Sequence, residues 1–287
     1  MPASLFDSPY YRDQFSTPAM REVFSDTGRF ESWLETEAAL ARAEARVGVI
    51  PAEAADAITA AAQVGNLDPE AMKRHYDQVG FAIVPLVRQL GAACPPEAAR
   101  YVHWGATTQD VLDTGLVLQM RRGLALIEAE LEAVAVALGR LARAHRDTVM
   151  AGRTFQQHAA PITLGYKVAG WLDEILRHRA RLPGLRERLL RVQFGGAVGT
   201  LASLGQDGVA VRAALARELD LGDPPITWHT GRDAWAEMVF WLGLVGGTLG
   251  RIATEIAMLM RSEVEELREP YVPGRGASSA MPQKRNP

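Results

Sequence analysis

The amino-acid sequence predicts an all-α protein with a long central helical bundle and a smaller N-terminal helical domain. Two observations support this prediction: apolar residues recur at steps of three and four over long stretches, and patterns typical of β-strands are scarce. The chain has 287 residues, 48% of them hydrophobic, which is enough for one large core or two modest ones. We expect the N-terminal domain to span residues 1–110 and the bundle to span residues 111–287.

The first part of the chain is predicted to consist of short helices. Turn-forming stretches interrupt it at "VGVIP" (47–51), "GNLDPE" (65–70) and "GAACPPE" (91–97). Asp68 and Pro69 mark one helix start, because an aspartate side chain caps free backbone N–H groups and proline suits the first helical turn.

Three later segments have the pattern of long helices, at residues 116–141, 162–182 and 235–259. In the first of them the apolar seam continues without a proline from Leu116 to Leu141. Helices of this length need helical partners to bury their apolar faces, so the sequence predicts a bundle.

Composition and charge argue against nucleic-acid and membrane partners and indicate a cellular compartment. A formal net charge of −3 and no long basic stripe argue against a nucleic-acid partner. The most apolar stretch, residues 238–260, is interrupted by Arg251 and Glu255, so we expect no membrane partner. The single cysteine, Cys94, fits a reducing compartment, and the N-terminus lacks the pattern of a signal peptide, so we expect a cytoplasmic protein.

The motifs of metal and nucleotide sites are missing from the sequence. None of the six histidines forms an H-x-x-x-H pair, and the glycine-rich run at 195–205 lacks the Gly-Lys-Ser/Thr of a phosphate-binding loop. The sequence therefore predicts neither a metal site nor a phosphate-binding loop.

Polar, glycine-bearing segments between the helices are the candidate functional loops. They are "HWGATTQD" (103–110), "GRTFQQHAAP" (152–161), "QFGGAVGTLASLGQDG" (193–208) and "GASSAMPQKRNP" (276–287). In the first, two readings stay open: Thr107 and Thr108 cap the following helix, with Asp110 and Asp113 in its first turn, or the hydroxyls and free N–H groups bind an anion. In the last, Lys284 and Arg285 are either solvated charges or part of a carboxylate clamp.

The last loop resembles a known signature. "ASSAMPQKRNP" is similar to the GSSxMPxKxNP pattern of the fumarase/aspartase superfamily, and "HWGATTQD" and "GRTFQQHA" resemble the first and second regions of that superfamily. "FSDTGRFESWLETEAALARAEARVGVIP" and "QFGGAVGTLASLG" look closest to its branch of cycloisomerases, which lactonise 3-carboxy-cis,cis-muconate during protocatechuate breakdown. The resemblance runs from about residue 16 to the end.

The resemblance implies a fumarase/aspartase-like fold, a homotetramer around the central bundle, and active sites that each draw on three subunits. It implies a small polycarboxylate substrate and no cofactor for the chemistry. It also implies that a C-terminal part of the family fold is absent after residue 287.

By the same resemblance, Ser278 and Lys284 would be the catalytic residues, with Ser278 exchanging a proton with carbon. The substrate-binding residues would be His103, Thr107, Thr108, Arg153, Thr154, Gln157, His158, Ser279, Met281 and Asn286. These types suit an aci-carboxylate intermediate, whose extra negative charge needs a lysine and aimed donors. The serine would need backbone dipoles and Lys284 nearby to act as a base.

Several positions stay open. His158 and His229 either touch substrate or are structural histidines. Arg232 and Asp233 are either a helix-start pair or residues that organise the site. A tricarboxylate would favour an extra cation, for which Arg153, Arg232 and Arg285 are the candidates.

Two positions depart from the superfamily pattern. Ala277 replaces the glycine before the two serines, which would cost about 1 kcal/mol if that position required a positive φ. Phe155 replaces the histidine that many of the lyases use to protonate a leaving amine or hydroxyl. Because a lactone reopens to release a stable carboxylate, Phe155 favours cycloisomerisation. The alternatives are a lyase such as adenylosuccinate lyase, and a non-catalytic structural protein like the lens crystallins recruited from this superfamily.

Overall fold

The computed structural model describes residues 4–286, and most of them are helical, which confirms the predicted all-α class. The helices are α1 (Arg12–Phe15), α2 (Pro18–Val23), α3 (Asp26–Val47), α4 (Ala52–Ala61), α5 (Pro69–Val79), α6 (Ile83–Ala93), α7 (Pro96–Ala99), α8 (Thr108–Ala144), α9 (Leu164–Leu189), α10 (Gly208–Glu218) and α11 (Asp233–Leu259). Residues 1–3, which begin the segment judged not to be a signal peptide, and Pro287, the last residue of the signature, lie outside the described residues.

The chain forms two compact units, each built from two stretches of sequence. The first contains Met1–Ile127 and Gly184–Trp235, and the second contains Glu128–Pro183 and Ala236–Pro287. This division differs from the predicted domains 1–110 and 111–287, because α10, far along the chain, packs against α3 in the first unit.

The first unit is built around α3, which has a hydrophobic cluster on either side. One cluster joins α3 to α4–α7 and includes the fully buried Ile58 and Leu86. The other joins α3 to the start of α8 and to α10 through Val117, Leu118 and Val211, all with 0% exposure. Burying such side chains contributes about 1.5–3 kcal/mol each, so these contacts fix the positions of the polar loops between the helices.

Local rules explain two features of this unit. The Asp68 side chain accepts hydrogen bonds from the N–H groups of Glu70 and Ala71 at the start of α5, with Pro69 in the first turn, which confirms the predicted cap. On α8, a Cβ atom at Gly115 would lie 2.6 Å from Cδ1 of Trp33, so α3 and α8 approach closely only because residue 115 is glycine.

The second unit contains the remainder of α8, most of α9 and most of α11. Leu164, Val168 and Trp171 of α9 pack with Ile252 of α11 in its core. The predicted helix at 162–182 is observed two residues later and longer, as Leu164–Leu189.

Helix α11 matches the predicted segment 235–259 and is long and apolar enough, by length and composition alone, to cross a membrane. Its two interrupting charges have partners in the same unit: Arg251 pairs with Glu174 at 2.8 Å, and Glu255 pairs with Lys167. Charges that pair with a neighbouring helix are typical of a bundle helix, so α11 is weak evidence for a membrane span.

A β-hairpin forms where the sequence predicted only a polar loop. Strand β1 (Val149–Thr154) pairs antiparallel with β2 (Gln157–Thr163), with a register irregularity between Ala151 and Arg153. The hairpin places most of the segment "GRTFQQHAAP" at an exposed tip of the second unit.

Candidate active site

Asp110, in the first turn of α8, is the buried centre of the polar groups in the first unit. Its carboxylate is 2% exposed and accepts hydrogen bonds from five donors at 2.7–3.1 Å. The donors are the backbone N–H groups of Thr107, Gly195 and Gly196, the Gln193 side-chain amide and His229 Nε2. Asp110 therefore connects three segments by hydrogen bonds: "HWGATTQD", "QFGGAVGTLASLGQDG" and residues 227–233, which contain His229.

Asp110 lies in the first turn of α8, as predicted, and its side chain contacts the backbone at the start of the helix. Helix α8 begins at Thr108, and Thr107 N–H donates to Asp110 Oδ2 at 3.0 Å while Asp110 N–H donates to the Thr107 carbonyl at 3.0 Å. Thr107 and Thr108 themselves are half-buried. Both interpretations of their hydroxyl groups, as helix caps and as anion-binding groups, stay predictions.

One turn further along α8, Asp113 pairs with Arg232, with Nη2 3.1 Å from Oδ2. Burial raises the pKa of Asp113, although hydrogen bonds from Gln109 and the charge of Arg232 oppose this. The Arg232 guanidinium also lies over the rings of Trp228 and Trp235, at 5.7 and 4.4 Å. Arg232 therefore has internal partners in this unit, and its role as an extra cation for the substrate stays a prediction.

His103 lies at the edge of the same unit and contacts a buried carboxylate that the sequence analysis missed. Its Nδ1 is 2.6 Å from Oε1 of Glu37, on α3; the two side chains are 20% and 0% exposed. Burial disfavours the imidazolium, but the charge of Glu37, its hydrogen bond and the charge of Asp110 outweigh burial and raise the pKa of His103.

The hairpin of the second unit holds Arg153, Thr154, Gln157 and His158. Arg153 pairs opposite His158, and Thr154 opposite Gln157. Both guanidinium nitrogens of Arg153 donate to Glu266 at 2.7 Å, and Nη2 is also 3.2 Å from His158 Nε2. The Arg153 hydrogen bonds hold the pKa of Glu266 below its usual value. Arg153 therefore has an internal partner that a substrate carboxylate would have to replace.

The tip of the hairpin is strained. Phe155 and Gln156 have φ values of 48° and 63°, the left-handed region that two-residue hairpin turns require and that bulky residues disfavour. The Phe155 side chain is 99% exposed. An almost fully exposed aromatic ring on a strained turn is a feature that folding alone does not explain.

The signature loop closes on itself. Ser278 Oγ accepts hydrogen bonds from the N–H groups of Met281 and Ala280, at 3.2 and 3.4 Å, and Asn286 donates through its backbone and side chain to the Gly276 carbonyl. Backbone N–H groups aimed at a hydroxyl oxygen stabilise negative charge there, as the predicted role of Ser278 requires. Ser278 is half-buried; Ser279, Met281, Lys284 and Asn286 are exposed.

Gly276, not Ala277, takes the left-handed conformation in this loop. Gly276 has φ 68°, and Ala277 is not among the non-glycine residues with positive φ. A Cβ atom at Gly276 would lie 2.2 Å from the Asn286 carbonyl oxygen. The strain considered for Ala277 is therefore absent from the structure.

The predicted residues fall in both units: His103, Thr107 and Thr108 in the first, and the hairpin and signature-loop residues in the second. The structure adds Glu37, Asp110 and Glu266 as charged groups that contact predicted residues. Within residues 4–286, no three His, Cys, Asp or Glu side chains are arranged to hold a metal ion.

The long helices, and the loop that carries Ser278, Lys284 and Asn286, are the features that the fumarase/aspartase pattern predicts. A family model described as lyase matches residues 12–287, so the chain belongs to this family, within the fumarase/aspartase superfamily. The resemblance found in the sequence is thereby confirmed.

Three comparisons illustrate this membership. The 3-carboxy-cis,cis-muconate cycloisomerase of Pseudomonas aeruginosa is 52% identical over 95% of this chain and 60% of its own length. Trans-aconitate decarboxylase 1 of Mycosarcoma maydis is 44% identical over 96% of this chain and 56% of its own length. The crystal structure of 3-carboxy-cis,cis-muconate lactonizing enzyme from Pseudomonas putida matches with a TM-score of 0.89 and 51% identity, covering 95% of this chain and 61% of that one. The chain thus spans about three-fifths of the length of these proteins.

Proposed function

We propose that the protein is a cycloisomerase that converts 3-carboxy-cis,cis-muconate to a carboxymuconolactone in protocatechuate breakdown. The observation that carries this proposal is the signature loop, in which backbone N–H groups of residues 280 and 281 point at Ser278 Oγ. The 52% identity to a cycloisomerase over 95% of the chain supports the choice of substrate.

In the proposed reaction, a carboxylate of the substrate adds to a carbon of its own diene. The new C–O bond closes the lactone, the displaced electron pair forms an aci-carboxylate on the neighbouring carbon, and that carbon then takes a proton from Ser278. Because the nucleophile is tethered to the alkene, little entropy is lost in bringing the two together. Lys284 and nearby donors stabilise the aci-carboxylate.

We propose that the remaining predicted residues hold the three carboxylates, in active sites that each draw on three subunits. They are His103, Thr107 and Thr108 together with the hairpin and signature-loop residues. Phe155 supports a reaction without a protonated leaving group, because it offers no acid at a position where many lyases have histidine. We further propose a cytoplasmic homotetramer without a cofactor; the exposed apolar residues Val239 and Phe240 of α11, 68% and 67% exposed, support burial between subunits.

The test follows ultraviolet absorbance while the full-length protein is mixed with 3-carboxy-cis,cis-muconate. Cyclisation shortens the conjugated system, so absorbance falls. Ser278→Ala is expected to lower turnover at least about 100-fold, as for loss of a proton-transferring group, without changing the assembly state. Ser262→Ala, which removes an exposed hydroxyl outside the loop, is the control. Full turnover by Ser278→Ala would remove Ser278 from its proposed role.

A second candidate is a decarboxylase of an unsaturated tricarboxylate, favoured by the 44% identity to trans-aconitate decarboxylase 1. Trans-aconitate and 3-carboxymuconate both carry three carboxylates on unsaturated carbon chains, so one set of carboxylate contacts suits either. Release of CO₂ from trans-aconitate, with no absorbance change on carboxymuconate, would select this function. Fumarate release from adenylosuccinate would select a lyase, and inactivity on all three substrates would favour a structural protein.

A further inference from the structure

The pair formed by Glu37 and His103 joins a wholly buried carboxylate to an imidazole at the surface of the first unit. Glu37 Oε1 is 2.6 Å from His103 Nδ1, which is within the range of a charge-assisted hydrogen bond. The Glu37 side chain is 0% exposed, whereas that of His103 is 20% exposed. The bond therefore fixes Nδ1 of the ring and leaves Nε2 available for a hydrogen bond to another group.

The ring nitrogen that does not contact Glu37 is Nε2. Within residues 4–286, the one hydrogen bond of the His103 ring is that of Nδ1 with Glu37. The backbone of His103 has φ 62°, a conformation that costs a non-glycine residue free energy and that persists where the surroundings impose it. The turn thus holds the ring in a set orientation, with Nε2 directed away from Glu37.

Several charged groups act on this ring. The negative charges of Glu37 on α3 and Asp110 on α8 both favour the protonated ring. Asp110 in turn is hydrogen-bonded to His229 Nε2. A second carboxyl group on α3, Glu44, lies near Glu37, but burial raises the pKa of Glu44 to about 9, so Glu44 is uncharged at neutral pH. The charged groups that act on His103 are therefore carboxylates, which favour a positively charged ring.

We propose that Glu37 is a positioning residue that keeps His103 as a cationic imidazolium, with Nε2–H aimed at a carboxylate of the substrate. This inference rests on the proposed function for the identity of the substrate, a polycarboxylate, but not for the state of the ring. It assigns a role to Glu37, which does not itself reach the substrate. It also explains why a carboxylate is kept in a hydrophobic core, where an uncompensated charge would be costly.

The matched variants are Glu37→Gln, which keeps size and an acceptor oxygen but removes the charge, and Glu37→Asp, which keeps the charge. The control is Glu31→Gln, which removes an exposed carboxylate from the same helix. We expect Glu37→Gln to raise KM about tenfold or more at pH 7.5, because a charge-assisted hydrogen bond to the substrate becomes a neutral one. The effect on kcat should be smaller, and Glu37→Asp should restore part of the affinity.

The pH profile separates a positioning role from a structural one. In Glu37→Gln, burial still opposes protonation of His103, so the ring gains its proton only as the pH falls, and lowering the pH from 8 to 6 should narrow the KM gap between this variant and the wild type. A merely structural defect would raise KM by the same factor at every pH. In a His103→Ala background, Glu37→Gln should have no further effect on KM.

A second readout does not depend on turnover. Diethyl pyrocarbonate modifies the neutral imidazole, so the rate of His103 modification, followed by peptide mass spectrometry from pH 5.5 to 8.5, reports the charge of the ring. Glu37→Gln should raise this rate several-fold at pH 7, since a fall of one pKa unit changes the neutral fraction up to about tenfold. Coincident modification profiles for wild type and Glu37→Gln would overturn the inference. A protein inactive on carboxymuconate but with separated profiles would instead reject only the proposed function.

Discussion

Glu44 provides a stability prediction that the structure makes quantitative. Its side chain lies in the core of the first unit with 0% exposure, and within residues 4–286 neither carboxyl oxygen has a hydrogen-bond partner. Burial, and then the charge of Glu37, raise the pKa of Glu44 from 4.5 to about 9. The folded protein therefore holds a proton on Glu44 at neutral pH, whereas the unfolded chain has released it.

The sign and size of the effect follow from proton linkage. Because the folded state binds the extra proton, the contribution of Glu44 to the free energy of unfolding is most favourable below pH 4.5 and falls as the pH rises towards 9. The loss is about 1.4 kcal/mol per pH unit in this range. From pH 4.5 to 7, keeping Glu44 protonated thus costs about 3 kcal/mol.

Glu44→Gln removes this cost, because the amide has nearly the shape of the protonated carboxyl group and does not titrate. We expect its stability relative to wild type to rise with pH, from a difference below about 1 kcal/mol at pH 5 to about 3 kcal/mol at pH 7. Urea unfolding followed by circular dichroism at half-unit steps from pH 5 to 9 measures this difference. Glu31→Gln, on the exposed face of α3, controls for loss of one negative charge.

The slope with pH decides the outcome, because an unsatisfied amide would shift the difference by the same amount at every pH. A difference between Glu44→Gln and wild type that stays constant from pH 5 to 9 would refute the reasoning. Glu44 would then be ionised in the folded protein, and its environment would have to be less apolar than the structure indicates.

Two further predictions concern a helix start and the signature loop. Asp68→Ala should lower the free energy of unfolding by about 1 kcal/mol, measured by urea titration, because α5 loses its side-chain cap. Gly276→Ala should lower turnover more than about tenfold with little change in melting temperature, since the new Cβ would meet the Asn286 carbonyl at 2.2 Å in an exposed loop. Gly274→Ala is the control for Gly276→Ala: it also has a positive φ, 81°, but open space around it, and should have a much smaller effect on turnover.

The long helices were predictable because their signal is local and repeated. Apolar steps of three and four place side chains on one helical face, and such patterns identified α8, α9 and α11 along most of their lengths. The Asp68 cap was predictable for the same reason, since an N-cap involves only the next few residues.

The β-hairpin was not predictable from its own residues. Strand β2, "QHAAPIT", lacks alternation of polar and apolar residues and contains Pro161. The turn has Phe155 and Gln156 where hairpins prefer asparagine and glycine. A two-stranded ribbon is marginally stable alone, so its formation depends on contacts elsewhere, such as the bidentate pair of Arg153 with Glu266.

The candidate site was predictable in part, through the resemblance of its motifs. Which loops hold functional groups could be inferred, but their partners could not: Glu37 lies 66 residues before His103, and Glu266 lies 113 residues after Arg153. Nothing in the sequence around Glu37 distinguishes it from other glutamates on α3. Such contacts depend on the packing of helices distant in sequence, which no local pattern encodes.

The function of the glycine-rich segment 193–208 also depends on a contact with a residue distant in sequence. Its Gly195 and Gly196 N–H groups, which in another setting would suit an anionic ligand, are used by Asp110 at 2.9 Å each. With its oxygens also bonded to Gln193, His229 and Thr107, Asp110 has no acceptor position left for a ligand. The glycines therefore serve the protein's own carboxylate, and the segment's contribution is to hold His229 and the start of α8 in place beside His103.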